Sequence, residues 1–264
     1  MWTSADHVLA SGQVPITAAG APAGDAAAGA GVATVTSPAA PGNSDLMLML
    51  LSDARLPTGA HTQSAGLEPA LRAGMPSGDV PRYIRARLLT VAAVEAAAAV
   101  VALRAAKSPG TAHGLAGVDQ AWRARTISPA LRETSILLGR GYRRLILRLW
   151  PDHPAVRALA DVERPCRAVV LGVCAACTGL GPASLARVIG YDEAQTIACA
   201  ALKLSPLDPV TATAWVLGAH NDIQEMANAV ADLTEPDDIP AYGAPLIEQW
   251  AQIHATTSQR LFRA

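Results

Sequence analysis

Residues 91–106 read VAAVEAAAAVVALRAA, a run in which only Glu95 and Arg104 carry charge. Alanine is the strongest helix former, and strands favour aromatic and β-branched residues instead. The run therefore specifies a helix whose small side chains let a neighbouring helix come close. Asp79 is placed to cap this helix, Pro81 falls in its first turn, and Ser108-Pro109-Gly110 breaks it. The apolar content of the whole chain, 51%, is mostly Ala, Leu and Val, with a single Phe. Such a core suits closely packed helices.

Proline, glycine and capping residues mark out the other elements. Helices are expected over residues 46–52 behind Ser44, over 63–73 as far as Gly74, and over 115–125. Ser128-Pro129 opens a helix through Trp150, followed by a short turn at 156–162. An apolar helix at 166–178 stops at Gly179. Residues 182–189 read as a separate short helix, with Asp192 capping the next, 193–204. Asp208-Pro209 opens a long helix to about Leu233, and a final one covers 245–257. No segment alternates with the period of a strand. The expected fold is all-α, a single domain of about eight to ten helices over residues 44–264. Residues 1–43, rich in Ala, Gly and Pro, bury too little large apolar surface to fold and are expected to form a disordered arm.

Composition narrows the function. A net charge of −1 argues against a nucleic-acid binder. The most apolar runs, 91–103 and 168–180, fall short of the roughly 20 residues a bilayer crossing needs, so no membrane association is expected. The N-terminus lacks the basic stretch of a secretory signal. Cys166, Cys174, Cys177 and Cys199 sit in helix-like contexts, which points to a reducing, cytoplasmic compartment.

Local chemistry is densest in Leu56-Pro57-Thr58-Gly59-Ala60-His61-Thr62-Gln63-Ser64-Ala65-Gly66-Leu67-Glu68. Pro57 fixes one backbone angle and Gly59 permits an unusual one. His61, Ser64 and Glu68 could form a small hydrolase triad, although no nucleophile elbow surrounds Ser64. The alternative is that Thr62 and Ser64 cap a helix start while His61 is partly exposed. Cys174 and Cys177, three apart on a helix, could meet one metal ion, but a second pair and a nearby histidine are missing, and small buried cysteines also ease helix packing. Arg140, Arg144 and Arg148 share one helix face that meets either solvent or an acidic partner. There is no phosphate-binding glycine loop, dinucleotide fingerprint or zinc motif. A helical chain of this kind is expected to be an adaptor and no enzyme, with no cofactor.

Four motifs in order resemble the UreF family of urease accessory proteins. Residues 50–71, LLSDARLPTGAHTQSAGLEPAL, are similar to its N-terminal signature. Gly139-Arg140 with Leu145 resembles its central helix, and residues 165–180, PCRAVVLGVCAACTGL, its Pro-to-Gly segment. His254 followed by Arg260-Leu261-Phe262 resembles its C-terminal ending. The resemblance covers residues 46–264. It implies an all-α homodimer with a non-catalytic role in nickel insertion into apo-urease. The implied partners are an accessory protein of the UreH (UreD) type and, through it, the GTPase UreG, whose activity such a protein is thought to regulate. Carried over, Pro57, Gly59, His61, Ser64, Gly66 and Glu68 fall on the N-terminal signature and Arg140 on the central helix. His254, Arg260, Leu261 and Phe262 fall on the C-terminal motif, implied to dock partners. A tail carrying Leu261 and Phe262 is expected to order on a partner, since Phe262 would otherwise be exposed.

Overall fold

A computed structural model describes residues 43–53, 55–108 and 114–262. Of the arm expected at 1–43, residues 1–42 lie outside the described residues, as do the tail residues Arg263 and Ala264, whereas Asn43 already opens a helix. Regular secondary structure among the described residues is all helical, with no strand, as the all-α reading requires. The α-helices in chain order are α1 (Asn43–Leu51), α2 (Leu67–Arg72), α3 (Val80–Arg87), α4 (Ala93–Lys107), α5 (Gly114–Arg125), α6 (Pro129–Leu149), α7 (Pro154–Ala158), α8 (Arg167–Thr178), α9 (Pro182–Leu204), α10 (Pro209–Gly218), α11 (His220–Val230) and α12 (Pro245–Thr256).

The alanine run forms α4, buried continuously from Ala93 to Leu103, at the centre of the core. Its closest neighbour is α8. A Cβ on Gly172 would lie 2.6 Å from the Ala102 side chain and 2.6 Å from the Ala99 carbonyl, so the two backbones meet with no side chain between them. Close contact multiplies dispersion contacts and leaves no void. Helix α3 joins α4 through a wider turn, Leu88–Ala92, giving one helical run, Ser77–Lys107, of 31 residues. This run is long and apolar enough to cross a bilayer, longer than the 91–103 stretch seen in the sequence. In the fold, 78% of its most apolar window is buried among the other helices.

Three expected boundaries differ. Residues 63–66 are not helical, because Ala65 (φ 50°) and Gly66 (φ 78°) are both left-handed and delay α2 to Leu67. Residues 182–204 form one helix, with Asp192 inside it rather than at a cap. Its carboxylate accepts from Arg167 on α8 at 2.9 Å. Gly190, in the expected gap between the two helices, sits where a Cβ would come within 2.9 Å of the Met226 side chain, so it allows α11 to pack closely. The helix expected from Pro209 to Leu233 is two, broken at Gly218 and Ala219.

Candidate functional site

The dense segment folds as two turns. In the first, Gly59 has φ 89°, and the Thr62 hydroxyl donates to the Gly59 carbonyl at 2.8 Å. The Thr58 backbone packs against Gly141 of α6. A Cβ at position 141 would overlap the Thr58 carbonyl oxygen and come within 2.8 Å of its Cα. Tyr142 beside it is buried, which pushes its phenol up to about 12. In the second turn, the left-handed Ala65 costs about 1 kcal/mol. Its carbonyl accepts from the Tyr83 hydroxyl at 2.9 Å. A Cβ on Gly66 would fall 2.7 Å from that same hydroxyl.

The second turn delivers Glu68 into the interior, where it is 0% exposed. Its Oε1 accepts the backbone N–H of Leu261 at 2.8 Å, and its Oε2 that of Phe262 at 2.9 Å. Arg72 pairs with Oε1 at 2.8 Å and also donates to the Gln259 carbonyl. His254 lies 3.9 Å from Glu68, and its Nε2 is 3.3 Å from the Phe262 carbonyl, to which it donates. Burial holds the His254 imidazole below its usual range, although Glu68 pulls the other way. Arg260 donates to the His254 carbonyl at 3.2 Å. One buried carboxylate thus fastens the end of the described chain to the N-terminal signature.

This arrangement corrects the picture of a tail ordered only on a partner. Phe262 is 4% exposed, packed in the protein's own core with the Lys203 ammonium 5.2 Å from its ring. Leu261, at 62%, is the residue of the pair left for contact. The structure brings Gly66, Glu68, His254, Arg260, Leu261 and Phe262 together. Pro57 and Gly59 lie on the turn against α6. Arg140, next to Gly141, is exposed and has no hydrogen bond or ion pair to this cluster among the described residues.

The triad is not assembled. His61 is exposed, whereas the Ser64 hydroxyl is buried and accepts the Glu68 amide at 3.4 Å. The Glu68 carboxylate is committed to the tail. Cys174 and Cys177 are buried, and burial raises each thiol to about 12, so neither is a thiolate near neutrality. Among the described residues no three His, Cys, Asp or Glu side chains gather as a metal site would need.

Sequence reasoning missed Arg72 and Tyr83, which complete the clamp, and a second buried polar network. Arg167 binds Glu95 at 3.1 Å and Asp192 at 2.9 Å. Glu95 also accepts from Trp122 at 3.0 Å and Ser135 at 3.1 Å, and Arg87 pairs with Glu193 nearby. These groups line a cavity of about 80 Å³. The available signal was Glu95, the one acid in α4, and Arg167, the one charge in α8, since a buried charge requires a partner.

Comparison with known proteins bears on the chain as a whole. The family model described as UreF matches residues 77–220. A urease accessory protein UreF of Mycobacterium marinum is 33% identical over 224 residues, covering 82% of this chain and 97% of the relative. One from Mycobacterium tuberculosis is 35% identical over 222 residues, with 82% and 97% covered. Another, from Mycobacterium sp. strain JLS, is 34% identical over 217 residues, with 81% and 96% covered.

Proposed function

The chain belongs to the UreF family of urease accessory proteins, and we propose that within urease maturation it is a non-catalytic cytoplasmic adaptor. It binds an accessory protein of the UreH (UreD) type, and the pair recruits and regulates a UreG-type GTPase that carries nickel to apo-urease. The observation that carries this reading is the clamp of Glu68 on Leu261 and Phe262, which joins two distant motifs into one surface. In it Pro57, Gly59, Ser64 and Gly66 set backbone shape, and Glu68, His254 and Phe262 hold the tail from within. His61, Arg140, Arg260 and Leu261 are the groups offered outward. The adaptor works as a homodimer. Its candidate self-contact is α10, a helix with no charged residue in which only Ala212 is buried.

Pull-down of the purified chain with each partner, with and without guanine nucleotide, tests the reading. A stable complex with the UreH-type protein, extended by the GTPase, is expected. No association with either under both conditions would refute it.

A further inference from the structure

We infer that the outward face of α6 is a docking surface for an acidic protein partner, a step that rests on the accessory reading for its choice of probes. Arg140, Arg144 and Arg148 recur every four residues, so they stand about 6 Å apart along one side of the helix. Leu137 and Leu147 share that side by the same periodicity, and each is 45% exposed.

The arginines differ from the rest in where their donors go. Among the described residues, fourteen other arginines bond to, or pair with, an acceptor within the chain. Arg140, Arg144 and Arg148 have none, and neither does Arg157 just beyond on α7. A solvated helix face usually mixes signs. Here the one acid on it, Glu133, is already tied to Arg164 at 2.7 Å, which leaves the face of a single sign.

The composition also fits an interface. Arginines beside half-exposed leucines give apolar anchors ringed by donors that carboxylates satisfy. The helix is held firmly. Ser128 caps it, and Gly139 lets it lie against the α8 entrance, where a Cβ would come within 2.6 Å of the Pro165 carbonyl. A rigid face loses little freedom on binding. The occupant is therefore a protein surface with carboxylates around an apolar patch. A nucleic acid would meet the net charge of −1 that the whole chain carries.

The test measures binding of the full chain to three purified probes, a UreH-type protein, a UreG-type GTPase and apo-urease, by calorimetry at two salt concentrations. The triple variant Arg140→Glu/Arg144→Glu/Arg148→Glu should bind one probe at least tenfold more weakly, leave the other two unchanged and keep its circular dichroism. Leu137→Ser/Leu147→Ser should weaken the same probe, and it decides the matter if the charge variant loses helicity. Binding of all three probes within twofold of wild type would overturn the face alone. So would uniform weakening of all three, or, with a random-sequence DNA duplex titrated as a fourth probe, an effect confined to that duplex. If the wild-type chain binds none of the three, both this inference and the accessory reading fall.

Discussion

Glu68 and Phe262 stand 194 positions apart in sequence, yet Oε2 of one accepts the backbone N–H of the other at 2.9 Å inside the core. A buried donor that loses its acceptor costs about 1–3 kcal/mol. Glu68→Ala strips acceptors from both Leu261 and Phe262, and should destabilise the protein by roughly 2–5 kcal/mol. Glu68→Gln, which keeps one carbonyl, should cost less. Urea denaturation measures the total, and amide exchange at 261 and 262 shows whether the loss is local. Unchanged exchange there would contradict the clamp.

Below pH 6.5 the protein should lose stability through His254. Burial depresses its folded-state value from 6.5, so as pH falls the unfolded chain takes up the proton first. The stability owed to neutral His254 is fully present above pH 6.5 and is lost as pH drops through the lower folded value. The groups around it are Glu68, Arg72 and Arg260. His153 is depressed too, by burial and by Arg157, so the wild-type profile alone is ambiguous. His254→Gln retains a donor for the Phe262 carbonyl and should flatten part of the fall in urea midpoint between pH 7 and 5. An identical slope in wild type and variant would refute the assignment.

Gly141→Ala should lower the melting temperature and disturb the turn at Thr58, because the added methyl meets backbone that cannot step aside. Overpacking of this kind costs about 1–3 kcal/mol. Backbone amide shifts at residues 57–59 would report the displacement. A variant as stable as wild type, with those shifts unmoved, would mean that α6 relaxes away.

Val210, Thr213, Ala214 and Leu217 make an i, i+3, i+4, i+7 stripe on the solvent side of α10, with Val210 and Leu217 each 72% exposed. The Thr213 hydroxyl already donates to the Pro209 carbonyl at 3.1 Å, so covering it strands no donor. A charge-free stripe can face its own copy without like-charge repulsion. Leu217→Glu should convert a dimer into a monomer in sedimentation velocity, with helicity intact. A variant that stays dimeric would move the contact elsewhere.

Arg167→Met should cost about 3–5 kcal/mol, since it leaves Glu95 and Asp192 buried without their cation. The urea midpoint gives the number. Arg167→Lys should recover only part of it, because a single ammonium does not reproduce the guanidinium fork.

Punctuation was the legible part of this chain. Ser128-Pro129, Asp208-Pro209 and Gly179 mark helix ends in sequence and in the fold alike, with the Ser128 and Asp208 side chains accepting first-turn amides. Each acts within a few residues of itself, which is why it can be read locally. Asp192 misled because its local preference for a cap lost to a long-range bond from Arg167, and the helix runs on through Gly190, which packs tightly against α11. At the site, the motif residues were legible as a set, but their pairing was not. Nothing near Glu68 says that its carboxylate is meant for the amides of residues 261 and 262. The fate of Phe262 depends on a pocket built from distant helices, which no pattern local to residues 254–262 encodes.

The clamp also has an order in time. On the ribosome Glu68 emerges long before residues 261 and 262, and every helix from α2 to α12 can be made while its carboxylate still lacks their amides. Until those amides arrive, Arg72 is the ion-pair partner that Glu68 has from its own helix, and the rest of its buried acceptor capacity waits on the tail. The two motifs are thus tied energetically: whatever frees the amides of residues 261 and 262 also loosens Glu68 and the turn that carries it.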